Sequence, residues 1–383
     1  MARMSPILAG LATYPFVRLE QAKQEARARG IELTDFGVGD PREVAPSFVR
    51  RALVDSLDGV SGYPLAQGLP ELREAIAAWC ERRFGVELDP HREVIPTLGS
   101  KEAIFGLAQV VVDARDSRNV VLVTEPGYPV PVRGALFAGG EPRALQLLEE
   151  NDFLPDVGAL GDDVWSRVAL VWVNYPNNPT GATAPLAFFE RLAGLAREHD
   201  FVLASDEAYS ELWFDEAPAS ALQLGDRRGV VVFNTLSKRS GMTGYRSGFA
   251  AGDPDLVAAL RAYRPTVGTA PQEFVQRASI AAWGDEEHVA AMRERYGRKR
   301  ALLLDVLARK GLRVAGSQAT MYLWVAVPSG ETSEGFATRL LEHGVVVAPG
   351  PYFGAAGEGY VRFALVPSED ECGRAAEILE DTL

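Results

Sequence analysis

Four apolar runs rich in β-branched residues mark the middle of the chain: Asn119–Val123, Val168–Val173, Phe201–Ala204 and Gly229–Phe233. Longer amphipathic stretches, such as Pro185–Glu198, separate several of them. Apolar runs of this length joined by helical crossovers predict a mostly parallel sheet covered on both faces. Such sheets bind ligands beyond the carboxyl ends of their strands. Each run here is followed directly by a polar, glycine-bearing or hydroxyl-bearing cluster: Glu125-Pro126-Gly127-Tyr128, Asn174 to Gly181, Ser205-Asp206-Glu207-Ala208-Tyr209, and Asn234 to Gly248. The pattern therefore places four unusual polar clusters where an α/β fold builds a site.

The last hundred residues follow another rhythm. A helical stretch (Asp285–Lys310) precedes short strands at Tyr322–Val327, Val345–Ala348 and Tyr360–Leu365, then a final helix, Glu369–Leu383. This predicts a smaller α+β domain. The expected division is an N-terminal segment (1–42) packing with the small domain, a large domain (43–272) and a small C-terminal domain (273–383). No internal repeat or low-complexity region interrupts this organisation.

A length of 383 residues suits two domains. The formal net charge of −13 removes any general attraction for nucleic acid or anionic membrane. Small anions then require local arginines and backbone amides. Cys80 and Cys372 suggest no disulfide framework, and a cytoplasmic protein with reduced thiols is expected. His91, His199, His288 and His343 are scattered without metal-ligand spacing, so no metal site is expected. No apolar run approaches a membrane span, and the start lacks a signal-peptide layout.

The clusters supply complementary chemistry. Lys238 follows a strand among small and hydroxyl residues, where an amine can reach a cleft and form a Schiff base with an aldehyde cofactor. Asp206, at the end of another strand, can partner a pyridine nitrogen, although a strand-end aspartate also commonly caps a helix. Asn178 and Tyr209 can donate to a phenolic oxygen, and the Pro-Asn-Asn-Pro-Thr-Gly turn would aim the asparagine. Leu98-Gly99-Ser100-Lys101 follows a strand-like piece, Val94–Thr97, and opens the apolar helix Ala103–Val111. A helix start of this kind is an anion site, which Thr235, Ser237 and Arg246 would complete. Tyr128 offers a ring for stacking. Arg362 lies mid-strand among apolar neighbours, and can either face solvent or fork onto a carboxylate.

Together these segments resemble the class I/II aminotransferases, the fold-type-I pyridoxal phosphate enzymes. The resemblance runs from Gly37-Val38-Gly39-Asp40-Pro41 to Arg362. It includes Gly62-Tyr63-Pro64, Gly68-Leu69-Pro70-Glu71-Leu72-Arg73, the glycine-serine-lysine turn, Pro-Gly-Tyr, Asn-Pro-Thr-Gly, Asp-Glu-Ala-Tyr and Ser-Lys with its downstream arginine. It implies a large domain with a mostly parallel seven-stranded sheet between helices, and pyridoxal phosphate as cofactor. Lys238 would be the Schiff-base lysine and Asp206 the partner of the pyridine nitrogen. Asn178 and Tyr209 would bind the phenolic oxygen, and Tyr128 would stack on the ring. Ser100, Lys101, Thr235, Ser237 and Arg246 would surround the phosphate. Arg362 would hold the substrate carboxylate, and Gly39 would approach the substrate through its backbone. Tyr63 would reach the phosphate of a neighbouring subunit, which implies a homodimer with shared sites. Some relatives carry a small residue in place of Lys101.

The stretches Thr235–Phe249, Pro271–Gln276 and Gly359–Leu365 are most similar to N-succinyl-diaminopimelate aminotransferases, which exchange an amino group with glutamate. Aminotransferases acting on unacylated LL-diaminopimelate, aspartate, alanine or aromatic amino acids share the core motifs, as do lyases using the same cofactor. Arg18, Arg42 and Arg264 are candidates for holding a second substrate carboxylate.

Overall fold

The mid-chain apolar runs become strands in the computed structural model, which describes residues 4–10, 15–59 and 62–383. The chain opens with α1 (Pro6–Gly10), α2 (Pro15–Ala28), β1 (Thr34–Asp35), α3 (Ser47–Val54) and α4 (Pro70–Phe84). The alternating part contains β2 (Val94–Thr97), α5 (Ser100–Val111), β3 (Val120–Glu125), α6 (Val130–Phe137), β4 (Glu141–Gln146), α7 (Asp162–Trp165), β5 (Val168–Asn174) and α8 (Leu186–His199). It continues through β6 (Val202–Asp206), β7 (Val230–Thr235), α9 (Leu236–Arg239), β8 (Gly248–Gly252), α10 (Pro254–Thr266) and α11 (Glu273–Trp283). The remainder is α12 (Glu287–Arg309), β9 (Val314–Ala315), β10 (Tyr322–Ala326), α13 (Ser333–Glu342), β11 (Val345–Val346), β12 (Ala348–Pro349), β13 (Tyr360–Ala364) and α14 (Glu369–Thr382).

A seven-stranded sheet in the order β2-β8-β7-β6-β5-β3-β4 forms the centre. Its pairs are parallel except those made by β8, which runs antiparallel to β2 and β7. Side chains alternate across the sheet. Val171, Val173, Val230 and Val232 therefore enter a core with Trp79, Phe189 and Trp283. Leu170, Trp172, Val231 and Phe233 enter another with Ile104, Leu107 and Leu260 on the opposite face. β5 is buried along its whole length, as a central strand under helices on both sides must be. Each fully buried valine or leucine contributes about 1.5–3 kcal/mol.

β4 and β8 were not expected. β4 is an edge strand with Pro142 and several polar residues. β8 is Gly-Phe-Ala-Ala-Gly, too poor in β-branched residues to announce a strand. A second, antiparallel sheet, β12-β13-β10-β9, packs with α12, α13 and α14 around a separate core. The single strand expected at Val345–Ala348 is divided. Val345 and Val346 pair in parallel with Thr34 and Asp35, whereas Ala348 and Pro349 pair with Arg362 and Val361.

On the N-terminal side, Leu19 and Ala26 pack against Leu341 and Val346 of the C-terminal part. α11 lies beyond the boundary expected at 272/273, yet it buries Ala278, Ala282 and Trp283 in the large core. The change of core therefore falls after Trp283. Among the described residues, no helix is long and apolar enough to cross a membrane.

Candidate active site

The parallel register brings the carboxyl ends of the central strands into line. Asn174, the last residue of β5, pairs with Asp206, the last of β6. Thr235 ends the neighbouring β7 and caps α9, its hydroxyl accepting from the Ser237 amide at 3.1 Å. A cavity of about 360 Å³ opens above these ends. It lies within the size range of small-molecule sites. Gly39, Ser100, Lys101, Tyr128, Asn178, Asp206, Tyr209, Thr235, Ser237, Lys238, Arg246 and Arg362 all line it. Tyr63 does not, and its side chain is fully exposed on this chain.

Lys238 sits on the single turn of α9. Its Nζ donates to the Gly39 carbonyl at 2.5 Å, across 199 residues of sequence. Burial lowers the amine to about 8; Asp40 opposes this, while Arg362 and Arg246 add to it. Burial likewise raises the Asp206 carboxyl to about 7, opposed by the Ala208 amide and by Lys238. Both shifts have one cause: loss of water disfavours whichever form is charged.

Asn178 and Arg362 meet in the cavity wall. Arg362 Nη1 donates to Asn178 Oδ1 at 2.8 Å, and Nη2 donates to the Gly37 carbonyl at 2.9 Å. With Oδ1 engaged, the amide of Asn178 presents Nδ2 as its donor. The guanidinium lies 4.2 Å from the Tyr322 ring centre and 4.5 Å from that of Phe353. Arg362 is thus buried and turned inward from β13. The Tyr209 hydroxyl meets that of Tyr322 at 2.8 Å. Burial, foremost, holds the Tyr209 phenol well above its ordinary range, so it keeps its proton for donation.

At the other end, Gly99 precedes α5 with φ of 68° and provides no capping side chain. A Cβ there would fall 2.5 Å from Arg246 Nη2. Arg246 is held over this helix start by donating to the Thr243 and Leu98 carbonyls. Uncapped first-turn amides, Ser100, Ser237, Thr235 and a guanidinium together form a donor set suited to a phosphate. A half-buried amine and a buried carboxyl share the cavity. The residues present fit pyridoxal phosphate.

The wall residues that sequence reasoning did not single out include Asp40, Asn174, Tyr322 and Phe353. Asn174 is the most consequential. Its Nδ2 donates to the Asp206 carbonyl at 2.8 Å, and its Oδ1 accepts from the Asn178 amide at 2.8 Å. One side chain therefore sets the spacing of two site residues; its place at the head of the Asn-Tyr-Pro-Asn-Asn cluster was the available signal. Of the arginines considered for a second carboxylate, Arg264 is committed elsewhere. It donates to the Ala66 and Pro96 carbonyls and pairs with Glu102. Arg42 lies 3.9 Å from Glu371, and Arg18 lies 3.9 Å from Glu334.

The sequence pattern of "Aminotransferase class I and II" matches residues 31–379. An LL-diaminopimelate aminotransferase of Nitratidesulfovibrio vulgaris is 41% identical over 370 residues, covering 95% of both chains. The LL-diaminopimelate aminotransferase of Aquifex aeolicus is 40% identical and covers 100% of this chain and 99% of its own. Among solved structures, a probable N-succinyldiaminopimelate aminotransferase of Thermus thermophilus superposes with a TM-score of 0.89 at 34% identity. That match covers 96% of this chain and 100% of the other.

Proposed function

The chain belongs to the class I and II aminotransferases, and from that premise we propose that it transfers an amino group between LL-diaminopimelate and 2-oxoglutarate, with glutamate as the partner amino acid. The observation that carries the chemistry is the half-buried Lys238 amine in one cavity with Asp206 and Arg362. The choice of substrate is carried by the near-complete coverage of two LL-diaminopimelate aminotransferases at 40% identity or more.

Enzymes of this family depend on pyridoxal phosphate, which when bound supplies an electron sink for the carbanion formed at the substrate α-carbon. Ser100, Lys101, Thr235, Ser237 and Arg246 would hold its phosphate, Asp206 its ring nitrogen, Asn178 and Tyr209 its phenolic oxygen, and Tyr128 its ring face. Arg362 binds the substrate α-carboxylate as a planar fork, with Asn178 and the Gly37 carbonyl fixing its angle. Lys238 takes the α-proton as general base and returns it as general acid. An amine lowered to about 8 is partly neutral near neutral pH, as that dual role requires. The aromatic walls of Tyr322 and Phe353 exclude water around the fork.

The structural likeness to a probable N-succinyldiaminopimelate aminotransferase supports a second reading, in which the succinylated amino acid is the substrate. Assaying purified enzyme with free and succinylated LL-diaminopimelate, each against 2-oxoglutarate, separates the two. The proposal expects kcat/KM for the free form to be at least about ten-fold higher, roughly 1.4 kcal/mol of discrimination. The opposite ranking supports the second reading. Turnover of neither, or full turnover by Lys238→Ala, defeats both.

A further inference from the structure

The turn that carries Lys238 is tied down by its two following residues. Arg239 is buried between the Trp79 and Trp283 rings, 5.6 and 5.1 Å from their centres. It donates to the Ala282 carbonyl at 2.6 Å, to the Asp285 carbonyl at 3.1 Å and to Glu286 at 2.8 Å. Ser240 ends the turn, and its hydroxyl lies 2.9 Å from His288 Nε2. The other ring nitrogen, Nδ1, lies 2.5 Å from Asp285 Oδ1, which also accepts the His288 backbone amide at 3.0 Å.

This chain of contacts has the order acid, imidazole, hydroxyl. Its serine is fully buried, so it is no nucleophile for an external substrate. Its geometry serves another purpose. A carboxylate at Nδ1 fixes the tautomer with the proton on that nitrogen. Nε2 is then an acceptor, and the Ser240 hydroxyl donates to it. The backbone of the same serine donates to the Leu236 carbonyl at 3.0 Å, closing the turn two residues from Lys238. Phe48 packs edge-on against the imidazole at 5.7 Å. The charged groups facing the ring are Asp285 and Glu286, just ahead of α12, and Arg239 from the lysine turn. Burial lowers the His288 pKa, which favours the neutral ring that this pattern requires.

We propose that His288 is a positioning residue for Lys238: the Asp285–His288–Ser240 chain fixes the pitch of the one-turn helix and so the aim of the amine at the substrate α-carbon. The inference rests on the assignment of Lys238 as the proton-transfer base. Arg362, Asn178 and the strap at Gly37–Gly39 stand outside the chain, so carboxylate binding is independent of it.

The test uses the holoenzyme carrying His288→Phe, His288→Gln or Ser240→Ala, with Phe48→Leu as a packing control. Steady-state rates are measured with ordinary and α-deuterated amino donor, alongside thermal unfolding. Misaimed reacting groups cost about ten- to a hundred-fold in rate. The expected result is a loss of that size in kcat for His288→Phe and Ser240→Ala. KM for the amino acid stays within about two-fold, and the isotope effect on kcat rises. Glutamine, which can still accept from Ser240, restores part of the rate. Phe48→Leu lowers the unfolding temperature without changing the isotope effect. The inference is overturned if kcat and the isotope effect match the parent, or if the isotope effect follows unfolding temperature across all four variants. Full turnover by Lys238→Ala removes the premise instead, whatever His288 does.

Discussion

Asp206 and Lys238 are perturbed in opposite directions on the pH scale, and this gives a measurable signature in the cofactor-free protein. The Asp206 carboxyl, raised to about 7, binds a proton in the fold that it has lost in the unfolded chain between about pH 4 and 7. Its contribution to stability is therefore full below about pH 4 and is lost as pH rises through about 7. Glu207 is also raised to about 7 by burial and has the same sign, so it must be held constant. Chemical denaturation of the cofactor-free parent and of Asp206→Asn between pH 4 and 8 does this. The stability of the parent relative to the variant should fall with rising pH and level off near 8. A difference independent of pH would show that the carboxyl is not desolvated. Lys238, lowered to about 8, acts with opposite sign at higher pH, so this window largely avoids it. These two residues were legible in the sequence because each closes or follows an apolar run. Tyr322 was not, since its role depends on Tyr209, 113 residues away, and on Arg362 across its ring.

Elements show the same division between local and distant information. α5 was legible because Gly99-Ser100-Lys101 precedes a helical apolar pattern, and the helix begins at Ser100, three residues before the expected run. Gly99 also has a requirement that the sequence did not reveal. It combines a left-handed φ of 68° with an approach that would put a Cβ 2.5 Å from the Arg246 guanidinium. Gly99→Ala should therefore strain the turn, at a cost of ~1–3 kcal/mol, and displace Arg246 from the helix start. The expected outcome is a lower unfolding temperature together with a cofactor dissociation constant raised by at least about ten-fold, the equivalent of 1.4 kcal/mol. Equilibrium titration with pyridoxal phosphate checks this, and unchanged affinity would separate Arg246 from the phosphate. The division of Val345–Ala348 between two sheets was not legible. A run of Val-Val-Val-Ala has no local signal telling which residue leaves one partner for another.

At the scale of the molecule, the α/β class was legible from the alternation of apolar runs and amphipathic stretches. α11 packs in the large core, which its amphipathic pattern alone does not announce. Tyr63 is the one residue expected to hold the cofactor that lies outside the cavity wall. It stands fully exposed, and Leu65, Leu57 and Val54, which are close to it in sequence, are exposed as well. A homodimer with shared sites would bury them and bring Tyr63 to the partner's phosphate site. Mixing and reassociating Tyr63→Ala with Lys238→Ala tests this. Each variant alone should be poorly active, and the mixture should regain up to roughly a quarter of parental activity, because random pairing repairs one site in half of the dimers. No gain on confirmed subunit exchange would place each site within one chain.

The cavity wall draws on separate hydrophobic cores: Asp206 ends a strand of the large sheet and Lys238 sits on the turn that follows another, whereas Tyr322 and Arg362 stand on the small sheet. An occupant touching both would act as a rivet between the two cores. Calorimetric scans of the empty protein should accordingly resolve two heat-absorption peaks, which saturation with ligand fuses into one.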